Sequence, residues 1–316
     1  MAVLNDNWAK FTYLGISKFH EKGFKGKGIT IASRENTVSK HGNQVADVIT
    51  QICPEANILV KQDYTNPNKR EKNIDIYTTS IFYSSDKYEK NIQAAINFHN
   101  EGTILCCAVG NDASASCTSL SKHAHWLSIG ACILSNGKIS RANYSSITKE
   151  IDFMSFTNLK TNKGIFSGTS CASPCFAAML ALVQQFFKEK AGRKLNYEEL
   201  LNFIKDNCHD LETEGFDNKT GFGIFILPDP DTIDINKYLL DDNIINAPIE
   251  EKEPFIKMTI GSKEIYINGE KQTMDLAPFI KDNKACIPIR FLAETLGYKV
   301  EWNNDKKEIK ITDETK

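Results

Sequence analysis

The sequence predicts a parallel α/β sheet of three layers, followed by a smaller α+β unit, and three observations lead there. Short apolar or β-branched runs (Ile29–Ala32, Ala56–Val60, Ile74–Phe82, Ile104–Val109, Trp126–Ala131, Ile151–Ser155) read as strands. Segments with apolar residues at helical spacing alternate with them: 8–24 ending near Gly23, His41–Ile52, Lys90–Asn100, Ser170–Phe187 and Tyr197–Asn207. Strands alternating with helices imply parallel pairing, which gathers functional groups at the carboxyl ends of the strands. The third observation is a change of character near residue 228, where Pro228-Asp229-Pro230 stops the last strand.

Length and composition bound the rest. A chain of 316 residues suggests about two domains. Hydrophobic residues at 41% and charged residues at 25% exclude wholesale disorder. The formal charge of -2 offers no basic excess for phosphates, so nucleic acid is not an expected partner. No apolar run approaches the roughly 20 residues of a membrane span. Residues 1–27 lack the pattern of a secretory signal, so as encoded the chain is expected in the cytoplasm. Nine cysteines without CxxC spacing read as buried, reduced thiols.

The expected organisation is a first domain over 1–236, an acidic linker over 237–254 and a second domain over 255–316. The stretch 241–254 (DDNIINAPIEEKEP) is acidic, contains two prolines and lacks clear periodicity. It is the segment most open to self-cleavage. Beyond it, Asn268-Gly269 marks a hairpin turn, Ile287–Gly297 a short helix and Lys299–Thr312 a second hairpin around Asn303-Asn304-Asp305.

Three segments carry candidate chemistry. In Gly168-Thr169-Ser170-Cys171-Ala172-Ser173-Pro174 a serine opens an apolar helix, where outward backbone N–H groups suit an exposed nucleophile and a developing oxyanion. A plain N-cap on a buried helix would have the same local sequence. In His41-Gly42-Asn43-Gln44-Val45-Ala46 an imidazole opens a helix after a strand and can take a serine proton near neutral pH. The strand Cys106-Cys107-Ala108-Val109 ends in Gly110-Asn111, whose amide can steady an oxyanion or simply make a turn.

In this order and context, the three segments resemble the subtilisin-like serine proteases, the subtilase family. The family pattern Gly-Thr-Ser-Met-Ala-x-Pro stands here as residues 168–174, His-Gly-Thr-x-Val-Ala as 41–46, and the asparagine of Ala-Gly-Asn as Asn111. Ser128–Ala131, Asn143–Ser146 and Gly221-Phe222-Gly223 resemble further family segments, so the likeness runs from about residue 8 to 230. It implies a serine endopeptidase: Ser170 as nucleophile, His41 as base then acid, and Asn111 in the oxyanion hole, acting on protein or peptide. It also implies that Tyr77, Thr78, Thr79 and Ser80 lie beside the cleft and pair with extended substrate, with Ala108, Val109 and Gly110 in the wall of the first specificity pocket.

The chain departs from the family at the triad acid. No aspartate lies between Asp6 and Asp47, and aligning the first strand puts Glu35 at the acid position, only six residues before His41. Glutamate can accept the Nδ1–H of His41 and stabilise the imidazolium from one methylene further out. Without that contact, the alternative is an inactive pseudoprotease that binds a peptide or partner protein in the same cleft, a reading that Asn43 in place of threonine also favours. Cys171 and Cys175 replace a family methionine and a common histidine and read as packing residues. His20, His99, His123, His125 and His209 take no role. No cofactor is expected: calcium often stabilises the family, but no Asp/Glu-rich loop here clearly replaces its sites.

The C-terminal segment resembles the copper amine oxidase N-terminal-like domain over about 255–313, through Ile287–Gly297, Val300-Glu301-Trp302 and Glu308–Ile311. The resemblance implies an appended non-catalytic module often found in cell-surface settings, at odds with the missing signal; a phage-derived origin or an intracellular protease would reconcile the two. No His or Cys cluster in it supports a metal.

Overall fold

The computed structural model describes residues 7–61, 71, 73–81, 88–114, 120–122, 125–240, 256–267, 270–282, 284–295 and 298–313. Phe82, His123, the acidic stretch 241–254, the Asn268-Gly269 turn and Gly297 lie outside them. The chain divides into two compact units, Met1–Leu240 and Asp241–Lys316.

The first unit is built on one sheet in the order β10-β11-β7-β5-β4-β3-β1-β2, with β6 beside β5. Its central strands are β1 (Thr30–Ser33), β2 (Asn57–Leu59), β3 (Ile76–Thr79), β4 (Ile104–Ala108), β5 (Trp126–Ser135) and β7 (Phe153–Phe156), all mutually parallel. β6 (Lys138–Arg141) folds back antiparallel on β5, and β10 (Cys208–His209) and β11 (Ile224–Phe225) close one edge. From β1 the chain goes first to β2 on one side and then to β3 on the other. The gap between β1 and β3 is therefore a topological switch point, the place where α/β sheets open a crevice at their carboxyl ends.

Alternation along the strands separates two cores. Ile31, Ile76, Ile104, Cys106, Leu127 and Ile129 face the layer of α3 (Lys40–Ile52) and α5 (Thr169–Lys190). Their neighbours Ala32, Tyr77, Leu105, Cys107 and Trp126 face the opposite layer, with Ala94, Ala95 and Phe98 of α4 (Tyr88–Asn100). Both sheet faces being covered explains why the strands read as continuous apolar runs. α5 is long and apolar enough to cross a membrane, but 94% of its most apolar stretch is buried, which marks it as the core helix. α6 (Tyr197–Asp206) starts with a capping box between Asn196 and Glu199, and Arg193 holds the Glu199 carboxylate bidentately with both distances 2.7 Å.

Several expectations need correction. The helix expected over 8–24 is two, α1 (Trp8–Tyr13) and α2 (Ile16–Glu21), because Gly15 turns the chain at φ +75°. A Cβ there would lie 2.1 Å from the Leu227 carbonyl oxygen, so α1 and α2 break where they meet the chain after β11. β2 is a partly exposed edge strand. Residues 237–240 belong to the first unit: the Tyr238 ring packs 4.9 Å from Phe203, and Leu240 N–H donates to Glu199. A short hairpin of β8 (Leu159–Thr161) and β9 (Gly164–Phe166), too brief to show a period, precedes α5.

The second unit, taken by itself, has a three-stranded antiparallel sheet of β12 (Ile256–Met258), β13 (Glu264–Ile267) and β14 (Glu270–Thr273). It adds the hairpin of β15 (Phe279–Lys281) and β16 (Lys284–Cys286), α7 (Ile289–Thr295), and the hairpin of β17 (Tyr298–Asn303) and β18 (Glu308–Asp313). Ile265 and Met274 centre its small core, with Ile256, Met258 and Phe291 packed against them.

Asp152, at the entry to β7, has its carboxyl pushed up to about 6 by burial, against the pull of the Ser128 N–H it accepts at 2.7 Å. The native state thus holds this proton more tightly than the unfolded chain. The group's contribution to stability is complete below about pH 4 and is lost as pH rises through about 6. Asp152→Asn keeps an acceptor for Ser128 and should flatten the dependence of melting temperature on pH across that window. An unchanged slope in thermal melts at several pH values would show that Asp152 does not set it.

Candidate active site

Four segments meet at the carboxyl end of the sheet, and glycine and proline dictate how. Gly168 precedes α5 with φ +90°, and a Cβ there would sit 3.3 Å from Asn111 Nδ2. Its N–H donates to the Tyr144 hydroxyl at 3.1 Å and its carbonyl accepts from Thr157 Oγ1 at 3.1 Å. Thr169 N–H donates to Asn111 Oδ1 at 2.8 Å, and Thr169 Oγ1 does so at 3.1 Å. Gly110 N–H donates to Thr169 Oγ1 at 3.3 Å. The exit of β4 and the start of α5 are thereby locked together. Asn111 has its amide oxygen engaged twice and its side chain exposed, and among the described residues its Nδ2 meets no acceptor, so those donors remain for something in the cleft.

Ser170 is the second residue of α5 and is half-buried. Its N–H is one of the orphan donors of a helix start, with no acceptor among the described residues. Its carbonyl is also freed: Pro174, four residues on, has no N–H to donate back. Ser80 Oγ–H fills that role at 2.9 Å, and Thr78 Oγ1 meets Ser173 Oγ at 3.0 Å, so β3 is tied to α5 just where Ser170 emerges.

Glu35 follows β1 and is 2% exposed. Its carboxylate accepts from Ser33 Oγ–H on one oxygen and from Ser80 N–H on the other. His41 stands in the first turn of α3, which Ser39 caps by accepting Gly42 N–H at 3.0 Å. The connection is tight: Ser39 N–H and Oγ–H both donate to Asn36 O, and a Cβ on Gly42 would lie 2.2 Å from that oxygen. Glycine after His41 is therefore what lets the helix start rest on the residue next to Glu35. The His41 ring is partly exposed and meets Phe166 edge-on, with centroids 5.3 Å apart at 90°.

Glu35 and Asn111 are thus each linked by hydrogen bonds to the start of α5, Glu35 through Ser80 and Asn111 through Thr169. His41 is brought in by packing, and no hydrogen bond joins it to Glu35 or Ser170 in this structure. Catalytic hydrogen bonds are often long without substrate and tighten when it binds.

The expected substrate strand needs correction. β3 is paired on both sides, to β1 and β4, and Tyr77, Thr78 and Thr79 are buried, so their backbone has no free edge for a peptide. Only Ser80, past the strand end, reaches the cleft. Val109 is fully buried and presents no side chain to a pocket; Ala108 is also buried, while Gly110 is partly exposed. Ser33, Thr169 and Phe166 were missed, although Ser33 stands two residues before Glu35 and Phe166 four before Ser170.

The cysteines among the described residues are free thiols. Burial pushes Cys171 up to about 12 and Cys175 up to about 11, so both stay protonated and pack rather than react. Among the described residues no three His, Cys, Asp or Glu side chains gather as metal ligands.

The chain belongs to the subtilase family of serine peptidases, whose model matches residues 27–223. A second model, the copper amine oxidase N-terminal domain, matches residues 241–311. The chain is 30% identical over 158 residues to the minor extracellular protease Epr of Bacillus subtilis (strain 168), covering 48% of this chain and 23% of that protein. It thus spans under a quarter of that relative's length. Among solved structures, a lanthipeptide protease aligns at TM-score 0.57 and 15% identity over 71% of this chain and 94% of its own. The prenylagaramide maturation protease PagA aligns at TM-score 0.56 and 17% identity over 68% and 96%. At such identities the likeness is one of fold.

The packing of Gly42 on Asn36 is directly testable. Gly42→Ala should cost about 1–3 kcal/mol by overpacking, read as a lower melting temperature of the full chain. An unchanged melt would show that the 36–42 connection is not closed as described.

Proposed function

We propose that the first unit is a serine endopeptidase that hydrolyses peptide bonds with a Glu35–His41–Ser170 triad. Ser170 Oγ attacks the carbonyl carbon while His41 takes its proton, later returning it to the leaving amine. Glu35 orients the imidazole and stabilises its charged form. The Ser170 N–H and Asn111 Nδ2–H donate to the oxyanion. The substrate is a protein or peptide, as for the proteases that this chain is similar to. The second unit is a non-catalytic module, and the chemistry requires no metal or cofactor from outside the chain.

The observation that carries this reading is the start of α5. Among the described residues, an orphan N–H at Ser170 and an amide whose oxygen is already taken and whose donors meet no acceptor stand on either side of Thr169. This is what an oxyanion needs, and a plain helix cap does not. The rival reading is a cleft that binds peptide without cutting, favoured by the missing hydrogen bond between Glu35 and His41.

Two measurements separate them. Purified protein should label with a fluorophosphonate probe and release fragments from casein, and Ser170→Ala should abolish both. Undiminished labelling of that variant removes Ser170 from the role, and an unlabelled, inert wild type supports the binding-only cleft. Asn111→Ala should lower kcat by about 10²–10³ with little change in KM; an unchanged kcat would exclude Asn111 from the oxyanion hole.

A further inference from the structure

A glutamate that replaces an aspartate brings one more rotatable bond. A carboxylate that must orient an imidazole works only if it is held still before the reaction. The structure contains such a holder. Ser33, the last residue of β1, is 1% exposed and paired with Thr78 of β3. Its hydroxyl donates to Glu35 Oε2 and accepts the Glu35 backbone N–H at 3.1 Å, closing the chain between them on itself. Ser80 N–H takes the other oxygen from β3.

We propose that Ser33 is a positioning residue for the triad acid, the group that makes glutamate serviceable at this place. The inference rests on the roles given above to Glu35 and His41. The Ser33 hydroxyl has no partner among the described residues other than Glu35, so its polarity at a buried strand end serves that residue, both its carboxylate and its backbone N–H. The two donors fix the carboxylate from β1 and β3, and each oxygen keeps lone-pair capacity that the His41 N–H can use. Asn36, packed under Gly42, keeps the histidine turn within reach. Ser33 itself makes no hydrogen bond to the imidazole, so it acts through Glu35.

The test is a double-mutant cycle on a short peptide substrate, with kcat, KM and the pH profile of kcat/KM measured for wild type, Ser33→Ala, Ser33→Thr, Glu35→Ala and the double Ser33→Ala/Glu35→Ala. Ser33→Ala should lower kcat by about tenfold, the worth of one hydrogen bond to a charged group, with KM little changed. Ser33→Thr, which keeps the hydroxyl, should restore most of it. The acid limb should move to lower pH in Ser33→Ala, because a carboxylate no longer held toward His41 stabilises the imidazolium less. In the Glu35→Ala background, Ser33→Ala should change nothing further. The proposal is overturned if Ser33→Ala costs as much without Glu35 as with it, or if it leaves kcat and the acid limb unmoved. A Glu35→Ala variant with wild-type kcat would instead remove Glu35 from the triad, and Ser33 with it. A lower melting temperature with an unmoved acid limb would mark Ser33 as structural only.

Discussion

Burial of α5 against one face of the sheet constrains everything at the active end of the first unit. Every residue from Cys171 to Phe187 is buried, and each large apolar side chain there contributes about 1.5–3 kcal/mol. A helix held so firmly cannot slide or tilt to suit its first turn. The turn carrying Ser170 is therefore placed by packing far from it, at the mouth between β1, β3 and β4. Side chains at those strand ends make only local adjustments: Asn111 from β4, Ser80 from β3, Glu35 from β1.

Within that frame the polar contacts follow from two backbone facts. Pro174 removes a donor and leaves the Ser170 carbonyl for Ser80, whose N–H also holds Glu35. One residue at the end of β3 thus links Glu35 and Ser170, which a satisfied helix would not require. Gly168 and Gly42 permit the two close approaches, the first of Asn111 to the start of α5 and the second of the histidine turn to Asn36.

The thiols around α5 fit the same picture. Cys53 donates to the Ala178 carbonyl, and burial pushes it, Cys132, Cys171 and Cys175 upward, so these sulfurs pack against the core in protonated form. Polarizable thiols fill the core where the family has a methionine and commonly a histidine.

The alternation of apolar strands and helices, the glycines and prolines that end them, and the order of His41, Asn111 and Ser170 were legible from the chain, because they depend on local periodicity and on residues whose backbone demands are unusual. Glu35 was legible only by alignment and elimination. The position of Tyr77–Thr79 was misread, because whether a strand has a free edge is decided by its neighbours, and β1 and β4 come from distant parts of the sequence. The break at Gly15 depends on Leu227 for the same reason. Ser33 and Ser80 are ordinary serines in the sequence; only the fold brings a strand-end hydroxyl and a backbone N–H onto one carboxylate, because parallel strands align their carboxyl ends whatever the length of chain between them.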